Sequence, residues 1–437
     1  MTQSNWREGL TAKHWQILLG SFLGWVFDGY EAFALIVVIP MLLKSLLPAQ
    51  LLPLGPLYAG TVIGITLLGW GIGGLVGGIL ADYLGRRRIM LWSVFLYALF
   101  SGLTALVQNF YQLDGLRFLT GLAMGSEWAT GISLVAETWP NRARPIGAGF
   151  LQSGFGWGTL LAAAVWYGLS STHPLDGESW RLMFVVGAIP ALFVLYLRRN
   201  LDESEKWKAA ILSKRWGATG STQVDSGKRP FTLFQLFREK EALRRTVITF
   251  LLSLATTTGW WAISSLLPRY TVSLAKAAGL SNPAEWGARS GLYYTIGAVV
   301  AYLIAGFVID KLGRRRFLFV TYLGSLIITW ICYGWVRDPQ WLLWLTPLNG
   351  FFTLGCAYVW MAIYPPELFA TSVRATAASV IFNGARIVAW VFPVLAGSII
   401  QSFGSLSMAA LIISLIYVLG LFLPWLLPET THKQLPE

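Results

Sequence analysis

Apolar residues along this chain gather into long runs divided by short polar gaps. A helix that crosses a bilayer needs about 20 mostly apolar residues. Twelve runs are long enough, at roughly 15–43, 56–81, 89–109, 111–136, 145–170, 181–200, 245–268, 287–309, 316–336, 340–363, 375–401 and 405–427. The pattern predicts an all-α integral membrane protein with twelve transmembrane helices. The weakest division falls within 89–137, where only a polar stretch around Gln108 and Asn109 separates two runs. The first run is too long for a cleavable signal peptide, and Asp28 and Glu31 interrupt it. An even number of crossings places both termini on one side.

Composition sharpens this picture. The chain is 55% hydrophobic and only 12% charged, against roughly 25% charged in a soluble domain. That excludes a soluble globular protein and a disordered one. Two cysteines, Cys332 and Cys356, both inside apolar runs, exclude a disulfide scaffold. The net charge of +12 would suit a nucleic-acid partner if the basic residues were scattered. They are not. With both termini cytoplasmic, 25 of the 33 Lys and Arg residues fall on the cytoplasmic side and six on the other. This is the positive-inside pattern. The charge therefore writes topology, and no nucleic acid is expected.

The chain also repeats. Gly78, Asp82, Gly85 and Arg86 to Arg88 recur 228 residues on as Gly306, Asp310, Gly313 and Arg314 to Arg316. Glu137 and Arg144 recur 230 residues on as Glu367 and Arg374. Two six-helix halves, 1–200 and 243–437, are thus related by a parallel repeat. The polar stretch 201–242 joins them as a cytoplasmic linker, with a short amphipathic helix expected around Phe231 to Phe237. Glycines four apart, Gly69 with Gly73, Gly121 with Gly125 and Gly154 with Gly158, mark faces where helices can cross closely.

These repeated residues carry a resemblance. The Gly-x-x-x-Asp-x-x-Gly-Arg-Arg-Arg loop and its second copy resemble the signature loops of the major facilitator superfamily. Residues 202–207 and Pro428 to Thr430 are similar to motifs of its sugar-porter-like branch. Trp25 to Glu31, Gly121 to Trp128 and residues 137–158 resemble segments of aromatic-acid, sialic-acid and lactate proton symporters. Tyr364 to Arg374 and Gly384 to Ile387 are shared more widely. Glu31, where Asp is usual, and Ser126, where Gly is common, depart from the pattern. The resemblance implies two six-helix bundles that alternate access to a central site. It implies no bound cofactor, with the proton gradient as driving force. A monomer in the lipid bilayer of a bacterial cytoplasmic (inner) membrane suffices for this architecture.

Ionisable groups within a membrane span are costly and need a reason. Asp28 and Glu31 lie near the middle of the first span and Glu127 near the middle of the fourth. Arg386 lies near the middle of the eleventh. Three acids in one half and a guanidinium in the other point to proton-coupled symport of a small organic anion. Glu127, Asp28 and Glu31 are the candidate proton carriers. Arg386, whose planar fork suits a carboxylate, is the candidate substrate anchor. Without substrate, Arg386 is expected to pair with an acid of the opposite half. Asn383, Gln152, Trp260 and Tyr358 are further candidate substrate contacts. Arg117, near Asp114, is read as structural or gating, with a role in coupling as the alternative. Buried acid–Arg pairs can equally serve only to hold helices together.

The repeated polar residues are candidate gates: Asp82, Arg86, Asp310 and Arg314, with Glu137, Arg144, Glu367 and Arg374. They would form ion pairs on the cytoplasmic face that break when it opens. The alternatives are a sugar, polyol or organic-cation porter, which the three acids would suit and Arg386 opposes. An integral membrane enzyme is disfavoured, because the sequence has no HExxH, GxSxG or His/Cys/Asp metal cluster. No phosphate-binding loop of the ATPase type is present, so ATP is not the expected driver.

Overall fold

A computed structural model describes residues 9–140, 143–189, 193, 232–369 and 376–431. Among them the chain forms helices and no strand. Its N-terminal half comprises α1 (Ala12–Leu46), α2 (Gly55–Leu84), α3 (Arg86–Thr104), α4 (Phe110–Thr138), α5 (Arg144–Thr172) and α6 (Trp180–Gly187). The C-terminal half holds α7 (Lys240–Ala277), α8 (Pro283–Leu312), α9 (Arg314–Trp335), α10 (Pro339–Pro365), α11 (Thr376–Phe403) and α12 (Leu406–Leu426). Each of the twelve apolar runs therefore contains a helix. Eight of these helices are long and apolar enough by themselves to cross a membrane. The other four are α3 to α6, all in the N-terminal half. Here α3 opens on three arginines, α4 carries Asp114, Arg117, Glu127 and Glu137, and α6 is described over only a short stretch. The expected amphipathic helix occurs at Thr232–Arg238. Residues 201–231 of the linker, including the motif at 202–207, lie outside the described residues.

Local chemistry sets the helix ends. The weak division at Gln108 and Asn109 is a helix cap: the Asn109 side chain accepts a hydrogen bond from the Gln112 N–H at 3.0 Å and starts α4. Asp338 caps α10 in the same way through the Trp341 N–H. The two copies of the repeated loop share one turn. Gly85 and Gly313 sit at φ 102° and 84°, a region that side chains avoid, so each copy needs glycine to break one helix and begin the next.

Packing within the N-terminal half uses the small-residue faces. A Cβ at Gly125 would strike the Trp70 carbonyl, and one at Gly73 would strike that of Leu122, so α2 and α4 cross almost backbone to backbone. The two halves meet along α5 against α8 and along α2 against α11. At the second seam a Cβ at Gly60 would strike the Pro393 carbonyl, and one at Gly397 would strike that of Pro56.

Four π-helical turns widen the C-terminal half: Gly259–Ile263 in α7, Ile331–Trp335 in α9, Phe351–Cys356 in α10 and Val380–Gly384 in α11. Such turns insert one residue and re-aim the side chains around them, and they concentrate at functional sites. Here they carry Trp260, Trp261, Phe382 and Asn383 into the seam between the halves.

Candidate functional site

The centre of the molecule is closed to solvent. Asp28, Glu127, Gln152, Asn383 and Arg386 are all at most 1% exposed. The Asp28 and Glu127 carboxyls, from α1 and α4, lie within hydrogen-bonding reach of each other. No other described group donates to any of their four oxygens. The Glu127 carboxyl fills the space beside Gly24, where a Cβ would collide with it. The Tyr97 hydroxyl from α3 is buried and has no partner among the described residues. A hydrogen bond between two carboxyls requires one proton, because a carboxylate can only accept.

Glu31 does not join this pair. Its Oε1 accepts from Arg117 Nη1 at 2.6 Å, and its Oε2 accepts from the Ser101 hydroxyl at 2.6 Å. Arg117 Nη2 donates to the hydroxyls of Thr104 at 2.6 Å and Thr120 at 3.1 Å, and its guanidinium lies 4.7 Å over the Phe184 ring. The pair ties α1, α3, α4 and α6 together. Arg117 therefore reaches across helices instead of pairing with Asp114 on its own helix.

Arg386 also departs from expectation. Among the described residues it forms no ion pair with an acid of the opposite half. Its Nη1 donates to the Phe382 carbonyl one turn back, and its Nε has no partner. The guanidinium lies 3.9 Å over the Phe382 ring and 5.0 Å from the Trp70 ring. Trp70 belongs to α2, so the cation is shared between the halves through π faces rather than through a carboxylate.

Around it stands a layer of rings from both halves. Trp128 of α4 stacks on Phe382 of α11 at 3.8 Å and 14°. Trp25 touches Trp70, Trp128, Phe155 and Phe382, with centroids 5.0–6.2 Å away. Phe155 meets Trp260 at 5.4 Å and Tyr358 at 6.1 Å, and Trp70 meets Trp261 at 5.9 Å. Several buried polar atoms of this region have no hydrogen-bond partner among the described residues. They include both amide atoms of Asn383, Gln152 Nε2, the Tyr358 hydroxyl and the indole N–H groups of Trp25 and Trp70. Gln152 Oε1 is occupied by the Trp128 N–H at 3.0 Å. Buried polar groups are normally satisfied, so this concentration makes the layer the candidate binding site.

The expected contacts Gln152, Asn383, Trp260, Tyr358 and Arg386 thus come together with Asp28 and Glu127, and Glu31 is set apart. Trp25, Trp70, Trp128, Phe155 and Phe382 were not foreseen as contacts. Their signal was spacing: each lies within four residues of a mid-membrane polar residue, except Trp70.

The candidate gate is described in part. The side chains of Asp82, Arg86, Glu137, Arg144 and Asp310, and all of Arg374, lie outside the described residues. Arg314 grips Glu367 through two bonds, Nη2 to Oε1 at 2.7 Å and Nε to Oε2 at 2.9 Å, and the Thr430 hydroxyl adds a third at 2.5 Å. Glu429 stands beside them. Partial burial works against its charge. The Thr431 hydroxyl and the N–H groups of Arg314, Arg315 and Thr431 outweigh that and hold its carboxyl down at about 2. A carboxyl lowered from its ordinary 4.5 adds stability that is complete above pH 4.5 and disappears as pH falls towards 2. Thermal unfolding in detergent should therefore show Glu429→Gln destabilised at pH 7, with the gap to wild type narrowing at pH 3.

The sugar (and other) transporter family matches residues 21–437. The chain is 28% identical to the sialic acid transporter NanX of Escherichia coli strain K12, over 91% of this chain and 90% of that one. It is 27% identical to the cis,cis-muconate transport protein of Acinetobacter baylyi, over 95% of each. Its fold is similar to that of the proton:xylose symporter XylE of E. coli, with a TM-score of 0.73 and 21% identity over 97% of this chain and 98% of that one.

Proposed function

The chain belongs to the sugar (and other) transporter family of the major facilitator superfamily, a multi-pass membrane transporter, and from that premise we propose that it carries a small organic anion together with a proton. The observation that carries this reading is the division of unsatisfied charge across the central layer. Arg386 stands on one half without a carboxylate, and Asp28 with Glu127 stands on the other without a donor. Relatives whose names specify sialic acid and cis,cis-muconate, both carboxylic acids, agree with it.

A charge count gives the mechanism. Glu31 and Arg117 neutralise each other. Arg386 contributes one positive charge, and the Asp28–Glu127 pair sharing a single proton contributes one negative. The empty centre is then neutral. A monoanion on Arg386 leaves one uncompensated negative charge in a low-dielectric site, which is costly. A second proton on the acid pair removes it. The loaded and empty centres are both neutral and can both pass between outward and inward states. Substrate and proton therefore move together, one to one for a monoanion. The rings supply apolar contact for the body of the substrate, and Asn383, Gln152 and Tyr358 its polar contacts. We place both termini in the cytoplasm of a bacterium, with the inner membrane as the site and one chain as the working unit.

Vesicles loaded for uptake of sialic acid or cis,cis-muconate test this. Wild type should accumulate one of these acids under an inward proton gradient and lose it on adding a protonophore. The double variant Glu127→Gln with Asp28→Asn should still exchange substrate across the membrane but no longer accumulate it, and either change alone should leave accumulation with an altered pH dependence. Accumulation by Glu127→Gln with unchanged pH dependence would remove the proton-carrier assignment.

A further inference from the structure

A second cation in the seam between the halves has no partner among the described residues. Arg269 of α7 faces a narrow cleft between α2, α7 and α11, lined by Pro56, Gly60, Trp261, Ser265, Pro393 and Gly397. The cleft lies towards the end of the bundle opposite the Gly85 and Gly313 loops, since Pro56 begins α2 and Gly85 follows its end. The other guanidiniums described at that end have partners. Arg181 bonds Glu178 at 2.6 Å, Arg289 bonds Glu285 at 2.5 Å, and Arg337 donates to the Tyr270 hydroxyl at 2.9 Å. Arg269 is half-buried, and its guanidinium bonds to no described residue. A partly desolvated cation among proline, glycine and tryptophan is costly unless an anion joins it.

The floor of this cleft is the roof of the central site. Trp261 lines the cleft and also meets Trp70 at 5.9 Å, and Trp70 carries the Arg386 guanidinium at 5.0 Å. The two guanidiniums without a carboxylate partner are thus linked through two indole rings in the seam. The seam is closed here by backbone contacts of Gly60 on Pro393 and Gly397 on Pro56. Parting α2 from α11 at this end would open the cleft to water and then uncover Trp261 and Trp70.

We infer that Arg269 is an outer capture site for the carboxylate of the transported anion, which passes from there to Arg386 when the rings move. This rests on the organic-anion reading and on the arginine-poor end facing outward. A positive charge in a confined entrance raises the local concentration of an anion and its rate of arrival by about tenfold or more. It acts only on substrate arriving from its own side.

The test uses the full-length protein in right-side-out and inside-out vesicles, with sialic acid and cis,cis-muconate as probes. Arg269→Gln should raise the KM for external substrate about tenfold, in keeping with that local concentration effect, and leave the KM from the cytoplasmic side and the maximal rate unchanged. Arg269→Lys should keep most of the external affinity. Ser265→Asp, which places a carboxylate one turn away on the same cleft, should reproduce the loss without removing the arginine. An external KM unchanged in Arg269→Gln, or raised equally from both sides, overturns the inference while wild-type accumulation of the acids still supports the organic-anion reading. Wild type that moves only neutral solutes overturns both.

Discussion

Arg386→Gln is expected to weaken substrate binding by roughly thirtyfold or more and to leave the protein at least as stable as wild type. The two halves of this result have one cause. The Arg386 guanidinium is buried with no counter-ion, so its desolvation is compensated only by the Phe382 carbonyl and two ring faces. Removing the cation relieves that cost, and the acid pair takes a second proton to keep the centre neutral. The substrate carboxylate then loses its only cationic partner among the described residues of the central layer. Losing one member of a buried charged hydrogen bond costs about 2–5 kcal/mol, which puts the fall in affinity at roughly thirtyfold or more. Arg386→Lys should fall between the two. It keeps the charge but not the planar fork or the stacking on Phe382. Thermal-shift titration of detergent-purified variants with sialic acid and cis,cis-muconate measures both quantities at once. A variant that unfolds at lower temperature and still binds would mean that Arg386 serves packing and not substrate.

The features that read directly from the sequence are those with a single physical solution. An arginine-rich turn between two spans needs a residue at positive φ, and glycine supplies it twice, at Gly85 and Gly313. Charged residues within apolar runs are expensive enough that each is conspicuous, and Asp28, Glu127 and Arg386 all reach the central layer. What did not read from the sequence were choices among near-equal partners. Arg386 was expected to find an acid, but Trp70 and Phe382 reach it first. Arg117 had Asp114 one turn away and took Glu31 from another helix, because it points inward between α1 and α3.

The π-helical turns left no trace for a different reason. An extra residue shifts the register of a helix, and in an amphipathic helix that would break the apolar stripe. Helices that face lipid on one side and a packed interior on the other are apolar on both, so a shift at Gly259–Ile263 or Val380–Gly384 changes nothing in the pattern. The same blindness hid the aromatic layer. With rings throughout the chain, Phe155 and Phe382 do not differ in kind from rings that face lipid until the seam between the halves is seen.

The largest loss of stability is expected from breaking the Glu31–Arg117 pair, and the form of that loss separates scaffold from chemistry. Arg117→Met would leave the Glu31 carboxylate buried with only the Ser101 hydroxyl, at 2% exposure. Removing one partner of a buried ion pair costs about 3–5 kcal/mol. The Thr104 hydroxyl would lose its guanidinium as well. Glu31→Gln should cost less, because an amide oxygen can still accept from Arg117 at a reduced strength. The double variant, Glu31→Met with Arg117→Met, replaces two charges by apolar groups of similar volume and should regain most of the loss, since such replacements are often neutral. Equilibrium unfolding of wild type, Arg117→Met, Glu31→Met and the double variant in detergent closes the cycle, and a coupling energy near zero would show that the two groups do not support each other. Space limits the remedy at one point: Gly187 of α6 leaves room for the Glu31 carboxylate, and a Cβ there would approach Oε2 to 2.6 Å. A bulkier group at position 31 therefore presses on α6. Asp28 lies one turn before Glu31 on the same helix, so the anchor that Arg117 gives α1 also sets where the acid pair meets the substrate site.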